Sequence, residues 1–202
     1  MSLDIMVDLE TLGTTADAVI VSIGAVAFNL ETGTLLPAGD ESRQITFYTV
    51  LDIETQPRRH ISADTLAWWM RQSDAARAVF YRANPVQHHF PARVALGALE
   101  AWVRAVVLAA NAQHRDLRVW SNGADFDLPM LAHACRTFNV TLPWPPYAGR
   151  CYRTYKNLPG ARAIEIQRTG THHNALDDAI DQAQHLCAIY AALFNKTQGG
   201  AA

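Results

Sequence analysis

A chain of 202 residues, half of them apolar, is long enough to bury one sizeable core and too short to promise two. A formal charge of -2 and a pI near 6.4 exclude a whole-molecule basic field, so any nucleic-acid contact must rest on a local patch or on bound cations. Three widely spaced cysteines, Cys135, Cys151 and Cys187, make neither a disulfide framework nor a Cys-x-x-Cys zinc pair and fit a reducing cytoplasm. Along the chain, Asp4, Asp8 and Glu10 interrupt any signal-peptide core or membrane span at the start.

Leu3 to Glu10 and Val19 to Leu30 are β-rich segments separated by a Leu-Gly-Thr-Thr turn, and Gln44 to Leu51 reads as a third strand. Together they predict an antiparallel meander at one edge of a mixed sheet. Ser62 is the expected N-cap of a helix over Ala63 to Gln72, and a short helix follows from Asp74. Leu99, Trp102, Val103, Val106, Val107 and Ala110 recur at three- and four-residue steps, the buried face of a long helix. Leu117 to Ser121 reads as an interior strand, Asn122-Gly123 as the break after it, and Leu128 to Phe138 as the next helix. Pro143 to Gly149 is expected to be a loop, with a short helix around Tyr152 to Leu158 beyond it. The final helix is placed from Asn174 to Phe194. The expected organisation is one domain over residues 1–195 with a flexible tail over 196–202.

Asp8-Leu9-Glu10 carries the first chemical signal, because side chains two apart on a strand share a face. Two converging carboxylates repel each other unless a hard cation compensates them; an exposed strand end is the bland alternative. The run Trp120-Ser121-Asn122-Gly123-Ala124-Asp125-Phe126-Asp127 adds an acidic turn before a helix, and His173-Asn174-Ala175-Leu176-Asp177-Asp178 adds further acids and an imidazole. Four carboxylates suit two metal ions about 3.5 to 4 Å apart, an arrangement that serves in-line displacement at a phosphodiester. A neighbouring histidine can take the proton from the attacking water near neutral pH.

The three segments, in this order, resemble the motifs of the DEDD superfamily of 3′-5′ exonucleases, in the subgroup whose last motif is His-x-x-x-x-Asp. Thr65-Leu66-Ala67-Trp68-Trp69, the Trp120 to Asp127 run and Arg153-Thr154 are similar to phage-type exonucleases and their bacterial exoribonuclease relatives. The likeness spans about residues 4 to 190. It implies an α/β, RNase H-like fold with a mixed five-stranded sheet flanked by helices. It also implies that Asp8, Glu10, Asp127 and Asp178 hold two divalent ions, Mg²⁺ or Mn²⁺, and that His173 is the general base. Asp127 is preferred over Asp125 because the Phe-Asp-x-x-x-Leu register falls on Phe126, Asp127 and Leu131, with Asp125 kept as a substitute. Asp177 is expected at the third position of the last helix, where it serves the helix dipole, and His172 as a loop residue.

Thr11 and Leu12 follow the first motif and by the same likeness meet the terminal nucleotide, although an ordinary turn explains them nearly as well. Trp68 and Trp69 cannot both face the core of one helix. Trp69 is the candidate for a base contact; a homodimer interface or a cover for the core are the other uses. Arg150, Arg153, Lys156, Arg162 and Arg168 form a basic stretch between the second and third motifs, with Arg153 the leading candidate for the phosphate backbone. His88-His89 reads as loop rather than zinc site.

The reading is therefore a 3′-5′ exonuclease acting on single-stranded nucleic acid with a free 3′ end and releasing nucleoside 5′-monophosphates. A nucleic-acid-binding protein without catalysis and a small-phosphate phosphohydrolase are the alternatives. DNA against RNA stays open, since the 2′-hydroxyl is read by pocket geometry.

Overall fold

Strands β1 (Leu3–Thr11) and β2 (Ile20–Asn29) pair antiparallel at the centre of the molecule, and all but one of their residues are buried. The structure, a computed structural model, describes residues 3–35, 45–82, 88–112 and 116–194. Gln44 and the tail over residues 196–202 lie outside them. With β3 (Thr34–Leu35), β4 (Thr46–Leu51), β5 (His89–Phe90), β6 (Leu117–Ser121) and β7 (Gly149–Cys151), the sheet has seven strands in the order β5-β4-β2-β1-β6-β7, β3 pairing with β2. The mixed five-stranded sheet expected from the sequence is the run β4-β2-β1-β6-β7; the two-residue strands β3 and β5 account for the difference. β2 pairs antiparallel with both β1 and β4, whereas β6 runs parallel to β1 and β7 parallel to β6.

Two segments read as loop contribute to that count. His89 pairs with Val50 in β5, and the proline-rich stretch ends in a 3-10 turn at Pro146–Ala148 before β7. β7 begins only after the last proline, because proline has no amide for the ladder.

The helices are α1 (Ala63–Trp69), α2 (Asp74–Arg77), α3 (Ala92–Ala109), α4 (Asp127–Thr137), α5 (Tyr152–Lys156) and α6 (Ala175–Phe194). Ser62 caps α1 by accepting from the Thr65 amide, as expected, although the helix ends three residues earlier than predicted. Among the described residues, no helix is long and apolar enough to cross a membrane.

The two-residue period of β1 divides the core. Ile5, Val7 and Leu9 pack in one cluster with Leu96, Leu99, Trp102 and Val103 of α3. Met6 packs on the opposite face with Ala179, Ala183, Leu186 and Ile189 of α6. Asp4, Asp8 and Glu10 share the parity of Met6, so β1 presents its acids toward α6.

Candidate active site

Asp8 sits opposite Gly24 in the β1–β2 ladder and Glu10 opposite Ser22, after which the register shifts between Glu10 and Thr11. Irregularities of this kind end pairing and re-aim side chains at sheet ends. Asp8 and Glu10 therefore point into the groove where β1 stops being a regular strand.

The second acid comes from the turn after β6. Gly123 adopts φ +118°, a conformation that glycine tolerates best, and lets the chain reverse from strand to helix. Asp127 becomes the first residue of α4 and accepts a hydrogen bond from the Leu9 amide at 3.2 Å through Oδ1. Its carboxylate is thus tied to β1 between Asp8 and Glu10. Asp125 is exposed.

α6 supplies the rest because it can approach the sheet closely. A Cβ built on Gly24 would lie 2.1 Å from the carbonyl carbon of Ala175, so only glycine admits the start of this helix over β2. Asn174 caps α6, its Oδ1 accepting from the amides of Leu176 and Asp177. Asp177 accepts from the Thr171 amide and stays out of the groove's hydrogen bonding. One turn of helix onward from the cap, Asp178 is buried and its Oδ2 accepts from the His173 amide at 3.1 Å. That bond holds His173 at φ +63°, a left-handed conformation uncommon for a side-chain-bearing residue. The imidazole meets the edge of Trp68 with ring centroids 4.8 Å apart.

Electrostatics distinguish this cluster from the other buried acid on the same face. Asp4 is fully buried but accepts from Arg118 Nε and Nη2, Trp120 Nε1 and the Leu30 amide. Among the described residues Asp8 has one such donor, Gln182 Nε2 at 2.7 Å, and the Glu10 carboxylate has none. Burial, reinforced by repulsion from Asp127, Glu10 and Asp178, pushes the Asp8 carboxyl well above the usual range. Burial likewise raises Glu10 from 4.5 to about 8, with Asp178 and Asp127 adding to it, and Asp127 from 3.8 to about 7. Glu10, His173 and Asp178 each offer a ligand atom within 4.8 Å of the others. Carboxylate oxygens that repel one another fit a hard divalent cation, and Asp8 and Asp127 lie near enough to these acids to add to the repulsion.

Asp8, Glu10, His173 and Asp178 line a cavity of about 690 Å³ whose walls also include Asn122, Tyr152, Lys156, Arg162, Arg168, Asp181 and Gln182. Lys156, Arg162 and Arg168 belong to the basic stretch expected from the sequence. Arg150, by contrast, donates to its own loop at Tyr147 O and Gly149 O. Asp181 and Gln182 were not singled out from the sequence. Their signal was available, because they lie three and four residues beyond Asp178 on a helix and so share its face.

The profile of the 3′-5′ exoribonuclease Rv2179c-like domain matches residues 3–190. The chain belongs to this family. It is a 3′-5′ exonuclease domain, and its mixed sheet flanked by helices is the RNase H-like fold of DEDDh nucleases. The nuclease domain of 3′hExo, a DEDDh family member solved bound to rAMP, is similar at a TM-score of 0.58 and 15% identity, over 98% of this chain and 93% of that one. S. pombe Pop2p in its Mg²⁺- and Mn²⁺-bound form gives 0.58 and 14%, over 95% and 84%. Cell-death related nuclease 4 gives 0.59 and 10%, over 96% and 65%. No curated protein matches the chain.

In this Rv2179c-like domain the expected substrate contacts are placed differently from the acids. The Thr11 hydroxyl donates to Gly13 O, and Leu12 is buried beside Trp69 with its amide donating to Val19 O. Trp69 corrects the expectation of a base-stacking residue: it is 3% exposed and donates from Nε1 to Thr11 O at 2.9 Å. Trp68, one step around the helix, is half-buried and takes the position against His173. Arg153 is exposed beside the second motif and donates to Asn122 O at 2.7 Å.

Proposed function

We propose that this domain removes nucleotides one at a time from the 3′ end of single-stranded RNA, releasing nucleoside 5′-monophosphates, with His173 as general base. The observation that carries the reading is the convergence of Asp8 and Glu10 from β1, Asp127 from α4 and Asp178 from α6 beside His173, with burial and mutual repulsion raising the Asp8 and Glu10 carboxyls and burial raising Asp127. RNA is favoured over DNA by the exoribonuclease character of the matching family and by the rAMP held by 3′hExo.

Two divalent ions, Mg²⁺ or Mn²⁺, held by Asp8, Glu10, Asp127 and Asp178 would neutralise charge on the entering and leaving oxygens. The chain's own groups do the rest. Burial lowers the His173 pKa from its ordinary value, which favours the neutral imidazole able to accept a proton from the attacking water. Trp68 limits the swing of the ring from one side, and the Asp178–His173 amide bond limits the backbone. Asn122, Lys156 and Arg162 line the cavity where the strand's phosphates and bases would lie.

The test uses 5′-labelled RNA and DNA of the same sequence with Mg²⁺ or Mn²⁺. Wild type should shorten the RNA stepwise and faster than the DNA, whereas Asp8→Ala and His173→Ala should leave both at full length. Equal shortening by all three proteins overturns the site. Preference for DNA overturns the substrate.

A further inference from the structure

Arg168 stands between two acids of α6. Its Nη2 donates to Asp178 Oδ1 and its Nε donates to Asp181 Oδ2 at 3.1 Å. The arginine side chain is 47% exposed, against 11% for Asp178 and 5% for Asp181. Asp181 is anchored independently of the guanidinium, since its Oδ1 accepts from the Thr169 amide and hydroxyl at 3.1 and 3.2 Å. The segment carrying Arg168 is thereby pinned to α6 through Asp181. The contact to Asp178 is a separate attachment.

Asp178 cannot serve the guanidinium and a divalent ion equally. Its Oδ2 is engaged by the His173 amide, so Oδ1 is the oxygen in demand. A cation held among Glu10, His173 and Asp178 would also repel Arg168 at hydrogen-bond range. Arginine freed from Asp178 keeps Asp181 at its Nε, and its two Nη groups then face the cavity that both residues line. The planar fork of these groups matches two oxygens of one phosphate.

We propose that Arg168 is a phosphate-binding residue held on Asp178 until a divalent ion takes that carboxylate, whereupon it turns on its Asp181 attachment to grip the RNA backbone. The phosphate half of this rests on the nuclease reading; the competition for Asp178 does not. Arg168 acts in the first state as a stand-in cation that keeps two neighbouring carboxylates from repelling each other. In the second it supplies positive charge to a strand that the protein's overall charge of -2 does not attract.

The experiment compares wild type, Arg168→Ala and Arg168→Lys by two readouts. Calorimetric titration with Mn²⁺, without nucleic acid, should show Arg168→Ala binding the ion at least about threefold more tightly, because a competing cation is gone. Steady-state cleavage of a short oligoribonucleotide should show KM raised about tenfold or more with kcat much less affected, the pattern of lost binding shared by ground and transition states. Arg168→Lys should fall between the two in KM, having a single point charge in place of the fork. A residue that merely supports the fold would weaken Mn²⁺ binding and kcat together, so that result overturns the proposal, as does an unchanged KM. Wild-type protein that binds Mn²⁺ but cleaves no RNA defeats the nuclease reading instead, with the titration still reporting the competition.

Discussion

Gly24 of β2 and Ala175 of α6 lie backbone against backbone, close enough that a Cβ on the glycine would come within 2.2 Å of the Ala175 carbonyl oxygen. The neighbours of each are the acids of the site, Asp8 across the ladder from Gly24 and Asp178 one turn along from Ala175. This contact sets the distance between the β1 acids and the α6 acids. Gly24→Ala should therefore cost about 1 to 3 kcal/mol of stability through overpacking. Activity should fall about a hundredfold through misplacement of Asp178 and His173. Thermal melting and single-turnover cleavage check the two effects, and full activity would show that α6 does not need this approach.

Asp127→Asn removes one of the mutually repelling acids while keeping an oxygen for the Leu9 amide. Without divalent ions the variant should melt higher than wild type at pH 8, by relief of a buried charge. Its kcat should nevertheless drop by about a hundredfold or more. Unchanged melting together with unchanged kcat would remove Asp127 from the site.

Glu10 and Asp127, raised to about 8 and about 7, bind protons in the folded state that they release on unfolding. Folded protein then holds more protons than the unfolded chain, so the slope of stability with pH is negative. Stability from these two groups is complete below their unfolded pKa values and is lost as pH climbs through 7 and 8. Melting temperatures in a chelator should decline over that interval, and Mn²⁺ should reverse the decline because it replaces the protons. Proton release measured during Mn²⁺ binding should be larger at pH 6 than at pH 9; the opposite order contradicts the assignment.

Gln182 fixes one oxygen of Asp8 through Nε2, leaving its own Oε1 buried and without a hydrogen-bond partner among the described residues. Gln182→Ala should lower Mn²⁺ affinity or kcat by about 10- to 100-fold, the usual cost of losing a group that orients a ligand. Gln182→Glu should be worse, since it adds a negative charge against Asp8. Equal behaviour of the two variants would point to lost packing alone.

His173→Ala should reduce kcat by about 10²- to 10⁴-fold, the range for a lost general base. Its Mn²⁺ affinity should stay near that of wild type. A large loss of Mn²⁺ affinity would instead make the imidazole a ligand, which its proximity to Glu10 and Asp178 also permits geometrically.

The parts of the site legible in the sequence were those governed by local periodicity. Two-residue spacing put Asp8 and Glu10 on one face of β1, and capping chemistry gave Asp177 its place in the first turn of α6, while the His-x-x-x-x-Asp register of the resembled family chose Asp178. Family likeness, rather than spacing, chose Asp127 over Asp125. Long-range pairings were not legible: Gln182 and Asp8 are 174 residues apart, and no local pattern joins them. The adjacent tryptophans show the same limit, since helix geometry required one outward ring but the Thr11 carbonyl decided that Trp69 is the inner one. His89 became a strand residue only because β4 offered an edge for it.

The order of the candidate site residues along the chain bears on when the proposed site can assemble during synthesis. β1 leaves the ribosome with Asp8 and Glu10 long before His173 and the first turn of α6 with Asp178 follow. On the proposed reading, a nascent chain still short of α6 lacks two of the groups assigned to catalysis. On that reading, competence waits until α6 has docked over Gly24.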